Sequence, residues 1–256
     1  MAIGHHLMLR LEDGRVLVKC QAERRKLARS VLRVGRDHEL LAFGLADNHL
    51  HAEAACDEAS AKRFAWRLGM SLSKALRLPV SFDKPRIKAI EDQPHLYSVF
   101  GYGFRQEQHH GIEGDPFLEA SNLLDLLGMR VVGSYTRLNV RTHLPRITTH
   151  KLLGYFGDVD LSNARICTQD LADAAMSALA LPDLRGRDSD VVRARNAAVH
   201  AVRAPADEIA RALGISPRAV RIIQRRPADV GTQAVLLQLH LRAAVRAASC
   251  RDAISA

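Results

Sequence analysis

The sequence of 256 residues predicts an α+β domain with an antiparallel sheet, followed by an all-α region. Three observations carry this. Within residues 1–115, alternating apolar runs of strand length are interleaved with runs at helical spacing, joined by short connections. Beyond about Asp115 the strand patterning fades and helical spacing alone continues. The Pro-, Asp- and Gly-bearing stretch Leu181 to Asp190 then marks the best internal linker. The expected divisions are therefore 1–115, 116–182 and 183–256.

In chain order, His6 to Glu12 (HLMLRLE) alternates as a strand, and Asp13-Gly14 signals a hairpin into the run RVLVKC. Ala22 to Gly35 carries apolar residues at helical spacing, with Gly35 placed as a C-cap. ELLAFGLA and HLHAEAA read as two strands joined at Asp47-Asn48, where Asx chemistry favours a bend. Asp57 to Leu76 is a long amphipathic helix with an acidic start, on which Phe64 and Trp66 are expected to pack in or near the core. Val80 to Phe82 suits a short strand, and Gln93 to Gly111 a helix beginning near Pro94. Helical stretches follow: DPFLEASNLLDLLG, TTHKLLGYFG, TQDLADAAMSALAL and DSDVVRARNAAVHAVR. There is no repeat and no low-complexity segment.

Composition excludes several classes. The 47% apolar and 25% charged contents are those of a globular protein. The longest apolar runs fall far short of the ~20 residues a membrane span requires, so no membrane partner is expected. The first residues lack a basic segment followed by an apolar one, so no signal peptide is read. Cys20, Cys56, Cys167 and Cys250 are scattered without a C-x-x-C pair, which fits a reducing cytoplasm better than a disulfide framework. The net charge of +9 suggests a polyanionic partner, with nucleic acid the commonest. Residues 181–256 hold thirteen arginines, no lysine and seven acids, so +6 of that charge lies in the last third. A nucleoid-associated location follows from these points.

Ala206 to Arg226 (ADEIARALGISPRAVRIIQRR) has the pattern of a helix-turn-helix. Ala210 is the small residue where a second helix crosses closely, and Gly214 supplies the turn. Ser216 is an N-cap and Pro217 is pre-organised for the first helical position. Val220 and Ile223 face the core, leaving Arg218, Arg221, Arg225 and Arg226 to meet phosphates or guanine edges of double-stranded DNA. With the helix before it, this region loosely resembles the DNA-binding domain of the bacterial replication initiator DnaA.

His49 and His51 flank Leu50 in a strand-like run. Residues two apart share one strand face, so both imidazoles project side by side, an arrangement that suits a metal. A strand bearing two histidines around an apolar residue is the signature of the HUH single-strand endonucleases. In their chemistry the imidazoles hold a divalent ion that polarises a scissile phosphate while a tyrosine hydroxyl attacks it. Among Tyr97, Tyr102, Tyr135 and Tyr155, only Tyr102 has suitable company: Gln106 lies four residues on, on the same helical face, where its amide oxygen could complete a metal site. Tyr97 has Gly101 at that spacing, and Tyr135 and Tyr155 lie beyond the expected α+β domain.

LADNHLH resembles the turn and strand of the HUH single-tyrosine transposases, including the REP-associated tyrosine transposases, and YGFRQEQHHGI resembles their tyrosine helix. Order and the roughly fifty-residue separation also agree, and the similarity spans about residues 3–130. It implies a ferredoxin-like fold, with His49, His51 and Gln106 as ligands of Mg²⁺ or Mn²⁺ and Tyr102 as the nucleophile. It further implies cleavage of single-stranded or hairpin DNA to give a 5′-phosphotyrosine and a free 3′-OH, reversible without ATP. Arg86 and Lys88, in KPRIKAIED, are expected single-strand contacts. Glu53 shares the histidine face and is expected to be solvated, as are His5 and His6 at a strand end; His109 and His110 end the tyrosine helix. Two alternatives stay open: a non-catalytic DNA-binding regulator on the same fold, and a rolling-circle or mobilisation nuclease. Whether Tyr102 serves its own chain's histidines or those of a homodimer partner is also open.

Overall fold

The computed structural model describes residues 2–106, 114–157, 159–161 and 165–255, with side chains described to residue 249. The chain divides into two compact units, residues 1–126 with 132–155, and residues 127–131 with 156–256. Residues 116–126 and 132–155, read from sequence as part of a separate extension, thus belong with the sheet.

The first unit runs β1 (Gly4–Arg10), α1 (Gln21–Gly35), β2 (Leu40–Leu45), β3 (His49–Ala54), α2 (Glu58–Leu76), β4 (Arg86–Ile90) and α3 (Gln93–Gly103). Its four strands are antiparallel in the order β2-β3-β1-β4. Alternation places Leu7 and Leu9 of β1, Phe43 of β2, and Leu50, Ala52 and Ala54 of β3 in the core. Leu27, Val31 and Leu32 of α1 and Phe64, Leu68 and Leu72 of α2 complete it. α2 starts where Asp57 accepts the Ser60 N–H and stops at Arg77 in the left-handed region. α3 starts where Asp92 accepts the His95 N–H, with Pro94 in its first turn, and it lies toward the opposite sheet face.

Several expectations are corrected. The turn at Gly14 forms, with φ +67°, but no hairpin follows, because β3 and β4 already take both edges of β1. The returning segment instead bonds Leu17 N–H to Asp47 O (3.1 Å) and buries Leu17 and Val18. Gly35 is the last helical residue, not a left-handed cap; a Cβ there would lie 2.6 Å from Leu40 Cδ2, so glycine lets β2 pass close. Val80 to Phe82 contributes a single bridge, Leu11 to Phe82, and the fourth strand is β4, RIKAI. The expected end of the tyrosine helix at Gly111, with His109 and His110, lies outside the described residues. Phe64 is in the core, stacked on His38, but Trp66 is 67% exposed.

The outer edge of β2 is covered rather than left open. Gly44 bridges Ser121, and the buried Asn122 accepts the Phe43 N–H (3.0 Å) and donates to Leu41 O (2.9 Å). This segment is held to α1 by the buried pair Arg25–Glu119 and by Gln21 Nε2 donating to Asp115 Oδ1 (2.8 Å). α4 (Leu123–Leu126), α5 (Tyr135–His143) and α6 (Thr149–Leu153) follow.

The second unit contains α7 (Leu171–Ala178), α8 (Ser189–Ala201), α9 (Ala206–Leu213), α10 (Pro217–Gln224) and α11 (Gly231–Ser255). Its core is rich in alanine, including Ala174, Ala194, Ala197 and Ala198, which lets helices approach closely. Leu181 and Leu184 are buried in that same core, so residues 181–190 connect helices of one unit and separate nothing. α9 ends at Gly214 with φ +63°, its N–H bonded to Ala210 O, and Ser216 caps α10 by accepting the Ala219 N–H. Val220 and Ile223 are buried, while Arg218, Arg221, Arg225 and Arg226 are exposed. Among the described residues no helix is long and apolar enough to cross a membrane.

Candidate active site

Register decides which side chains meet. β1 and β3 pair His6 with Glu53, Met8 with His51 and Arg10 with His49. β4 adds Lys88 opposite His6 and Arg86 opposite Met8, and β2 places Gly44 opposite His51. Directly opposed residues share a face. The sheet face away from α1 and α2 therefore carries three imidazoles, one carboxyl and three cations.

The imidazoles touch. The His49 and His51 ring centroids are 4.7 Å apart, and those of His6 and His51 are 5.0 Å apart. His6 Nε2 and His51 Nδ1 share a hydrogen bond of 2.8 Å. His49 is half-buried, and its Nδ1 lies 2.8 Å from Asn48 Oδ1, so the turn residue orients the ring. Burial, then the charges of Lys88 and His95, lower the His6 pKa to about 4, which keeps this ring neutral at pH 7.

Glu53 is wholly buried, correcting the expectation of a solvated carboxylate. The reason is α3, whose end lies on this face: the Glu53 carboxyl oxygens are 3.5 and 3.7 Å from the position a Gly103 Cβ would take. Among the described residues its carboxyl oxygens accept no hydrogen bond, and His6 Nδ1 lies 3.6 Å from Oε1. Burial pushes the Glu53 carboxyl well above the usual carboxylate range. His5 and His6 are likewise not solvated strand-end residues: His5 is buried against Cys56 O (2.8 Å), and His6 is 16% exposed by side chain.

Tyr102 closes the arrangement, with its ring edge-on to His51 at a centroid distance of 5.6 Å. This follows from glycine at two positions. A Cβ on Gly44 would stand 1.8 Å from Gly103 O, so α3 reaches this depth only because β2 has no side chain there. The other tyrosines are occupied: Tyr97 Oη accepts the Arg146 N–H (3.0 Å), Tyr135 Oη donates to Leu32 O (2.8 Å), and Tyr155 lies against Phe104 and Gly101. Tyr135 and Tyr155 fall within the first unit rather than beyond it.

Gln106 is buried beside this group, donating to Tyr102 O (3.1 Å) and lining a crevice with Gly44, Leu45 and Gly103. Among the described residues its Oε1 is buried and accepts no hydrogen bond. Among the described residues no set of three His, Cys, Asp or Glu side chains is arranged to hold a metal ion. Two imidazoles and an amide oxygen need no such set, and their N/O donor chemistry suits Mn²⁺ or Mg²⁺ with oxygen ligands from a substrate.

Beside the histidines runs a groove of about 400 Å³, lined by His6, His51, Arg86, Lys88, His95 and Tyr102 among others. An adjoining groove of about 540 Å³, sharing Met8 and Arg86, includes Arg10, Asn48 and His49. Arg86 and Lys88 thus stand exposed at the site. Sequence reasoning passes over Arg10 and expects Glu53 and His6 to be solvated; alternation along β1 puts His6, Met8 and Arg10 on one face, but its pairing with β3 was not legible. In comparisons with known proteins, no family model and no curated protein matches the chain.

Proposed function

We propose that the first unit is a ferredoxin-like HUH domain that nicks and rejoins single-stranded DNA, with Tyr102 as nucleophile. Tyr102 Oη attacks the scissile phosphorus, the P–O3′ bond breaks, and the phenolic proton leaves as the 3′-oxygen departs as a hydroxyl. The product is a 5′-phosphotyrosine whose bond energy is retained, so attack by a 3′-OH reverses the step. His49, His51 and Gln106 would hold Mg²⁺ or Mn²⁺, which supplies charge stabilisation at the phosphate when bound. Arg10, Arg86 and Lys88 would track the strand's phosphates along the grooves. α9 and α10, read as a helix-turn-helix, would bring the chain to double-stranded DNA through Arg218, Arg221, Arg225 and Arg226.

The observation that carries the reading is the approach of one tyrosine, and no other, to a strand-borne histidine pair through the Gly44–Gly103 contact. The sheet order β2-β3-β1-β4, with both crossover helices on one face, also fits a ferredoxin-like unit. The test is incubation with single-stranded hairpin DNA and Mn²⁺. A denaturant-stable protein–DNA adduct that disappears in Tyr102→Phe supports the enzyme. Tight binding without an adduct in either metal supports a non-catalytic regulator.

A further inference from the structure

Phe64, Leu68 and Leu72 bury one side of α2 in the core of the first unit. On the other side Trp66 is 67% exposed and Met70 61% exposed, two large apolar side chains that the core does not take up. They stand four residues apart, so they are neighbours on one face of the helix. Lys62, Arg63, Arg67 and Lys74 are exposed around them. At 3.6 residues per turn all six positions fall within an arc of about 140°. From Lys62 to Lys74 the stripe is about 18 Å long, the length of about five stacked nucleotides.

The stripe is cationic as well as aromatic. Glu58 is the one acid in the sequence from residue 58 to 77. It pairs with Lys62 (2.6 Å), and Asp37 pairs with Arg67 (3.3 Å). Both pairs are exposed, and exposed pairs are weak, so a phosphate displaces them at little cost. An aromatic face for a base, set in a line of cations for the phosphates on either side, is what single-stranded nucleic acid requires of a surface. A lipid surface fits less well. An interfacial helix sinks a broad apolar face into the headgroups, and here that face is already buried in the core, leaving only Trp66 and Met70.

We propose that the outward face of α2 is a second single-stranded nucleic-acid site, on which a base stacks against Trp66 while the neighbouring phosphates meet Lys62, Arg63, Arg67 and Lys74. The histidine site lies on the opposite face of the sheet, and none of these six residues lines its grooves. The stripe therefore goes beyond the nuclease reading and does not rest on it.

Trp66 is the only tryptophan in the chain, so its fluorescence reports on this face alone. The test titrates the full-length protein with oligothymidylate of about 16 nucleotides, in EDTA to remove the divalent ion that cleavage would need. Tryptophan emission follows the stripe, and the anisotropy of a labelled oligonucleotide follows total binding. The stripe predicts saturable quenching that weakens with salt. Each phosphate contact contributes about 0.7 to the slope of log affinity against log salt, so Arg63→Gln combined with Lys74→Gln should lower that slope by about 1.4. Both side chains are exposed, so the melting temperature should not change. Unchanged emission overturns the proposal, whether or not anisotropy reports binding elsewhere on the chain. An unaltered salt slope in the double variant also overturns it. Emission that responds to phosphatidylserine vesicles and not to oligothymidylate overturns it in favour of a lipid surface. All three results leave the nuclease reading standing, because the Tyr102 adduct decides that separately. Quenching in a protein that forms no adduct supports the stripe and sinks the enzyme.

Discussion

Gly44→Ala probes the contact on which the site depends. The added Cβ would stand 1.8 Å from Gly103 O and 2.7 Å from Gly103 C, both backbone atoms that no rotamer change can move. Ordinary contact begins near 3.4 Å, so the end of α3 must retreat by about 1.6 Å, or β2 must yield by the same amount. Overpacking of this kind costs about 1–3 kcal/mol. For a unit of this size that is a melting-temperature fall of roughly 2–12 °C. The larger effect is on chemistry, because Tyr102 is the residue next to Gly103. A misplacement of about 1 Å at a reacting group lowers rate by roughly 100-fold. The assay is the rate of adduct formation on a hairpin substrate at saturating Mn²⁺, below the melting transition of the variant. Gly154→Ala, where the new methyl meets nothing within 4 Å, is the matched control and should leave both quantities unchanged. A Gly44→Ala protein with wild-type melting and wild-type adduct rate would refute the argument that this glycine pair sets the depth of α3.

Four further outcomes are expected. His49→Ala should abolish adduct formation and Mn²⁺ binding with little change in melting temperature, since the ring is half-buried; calorimetry and gel analysis check this. Glu119→Gln breaks a two-bonded pair to Arg25 that is fully buried at the carboxylate and should destabilise the protein by about 3–5 kcal/mol in denaturant titration. Arg221→Ala and Arg225→Ala, both exposed, should each reduce the salt slope of double-stranded DNA binding by about 1 without altering stability. His38 is buried, and burial followed by the charge of Arg67 lowers its pKa below 6.5. The unfolded chain therefore binds this proton more readily, so stability should fall as pH drops below about 6.5. His38→Gln should flatten that slope in a pH series of melting curves.

Much of the first unit was legible because local chemistry and global packing agree there. Asp57 before an amphipathic run marks α2, and Asp92 with Pro94 marks α3, since caps act within one turn. The caps Gly214 and Ser216 likewise define α9 and α10. β4 was missed because RIKAI is charged and mostly exposed, the usual dress of an edge strand, which resembles a loop in composition. The hairpin after β1 was wrongly expected because a turn signal says nothing about which edges of a strand are already taken. His49 and His51 could be paired by strand alternation, and Tyr102 is nominated because the resemblance to the HUH nucleases implies a tyrosine and Gln106 lies four residues on. His6 and Glu53 could not be placed with them, because their positions arise from cross-strand register and from a helix placed over them by two distant glycines.

The most direct measurement is peptide mapping by mass spectrometry of the protein–DNA adduct after digestion of both components. The account predicts a residual nucleotide on the phenol of Tyr102, joined through the 5′-phosphate, in a reaction that needs a divalent ion. A nucleotide on Tyr97, Tyr135 or Tyr155, or on no tyrosine at all, would contradict it.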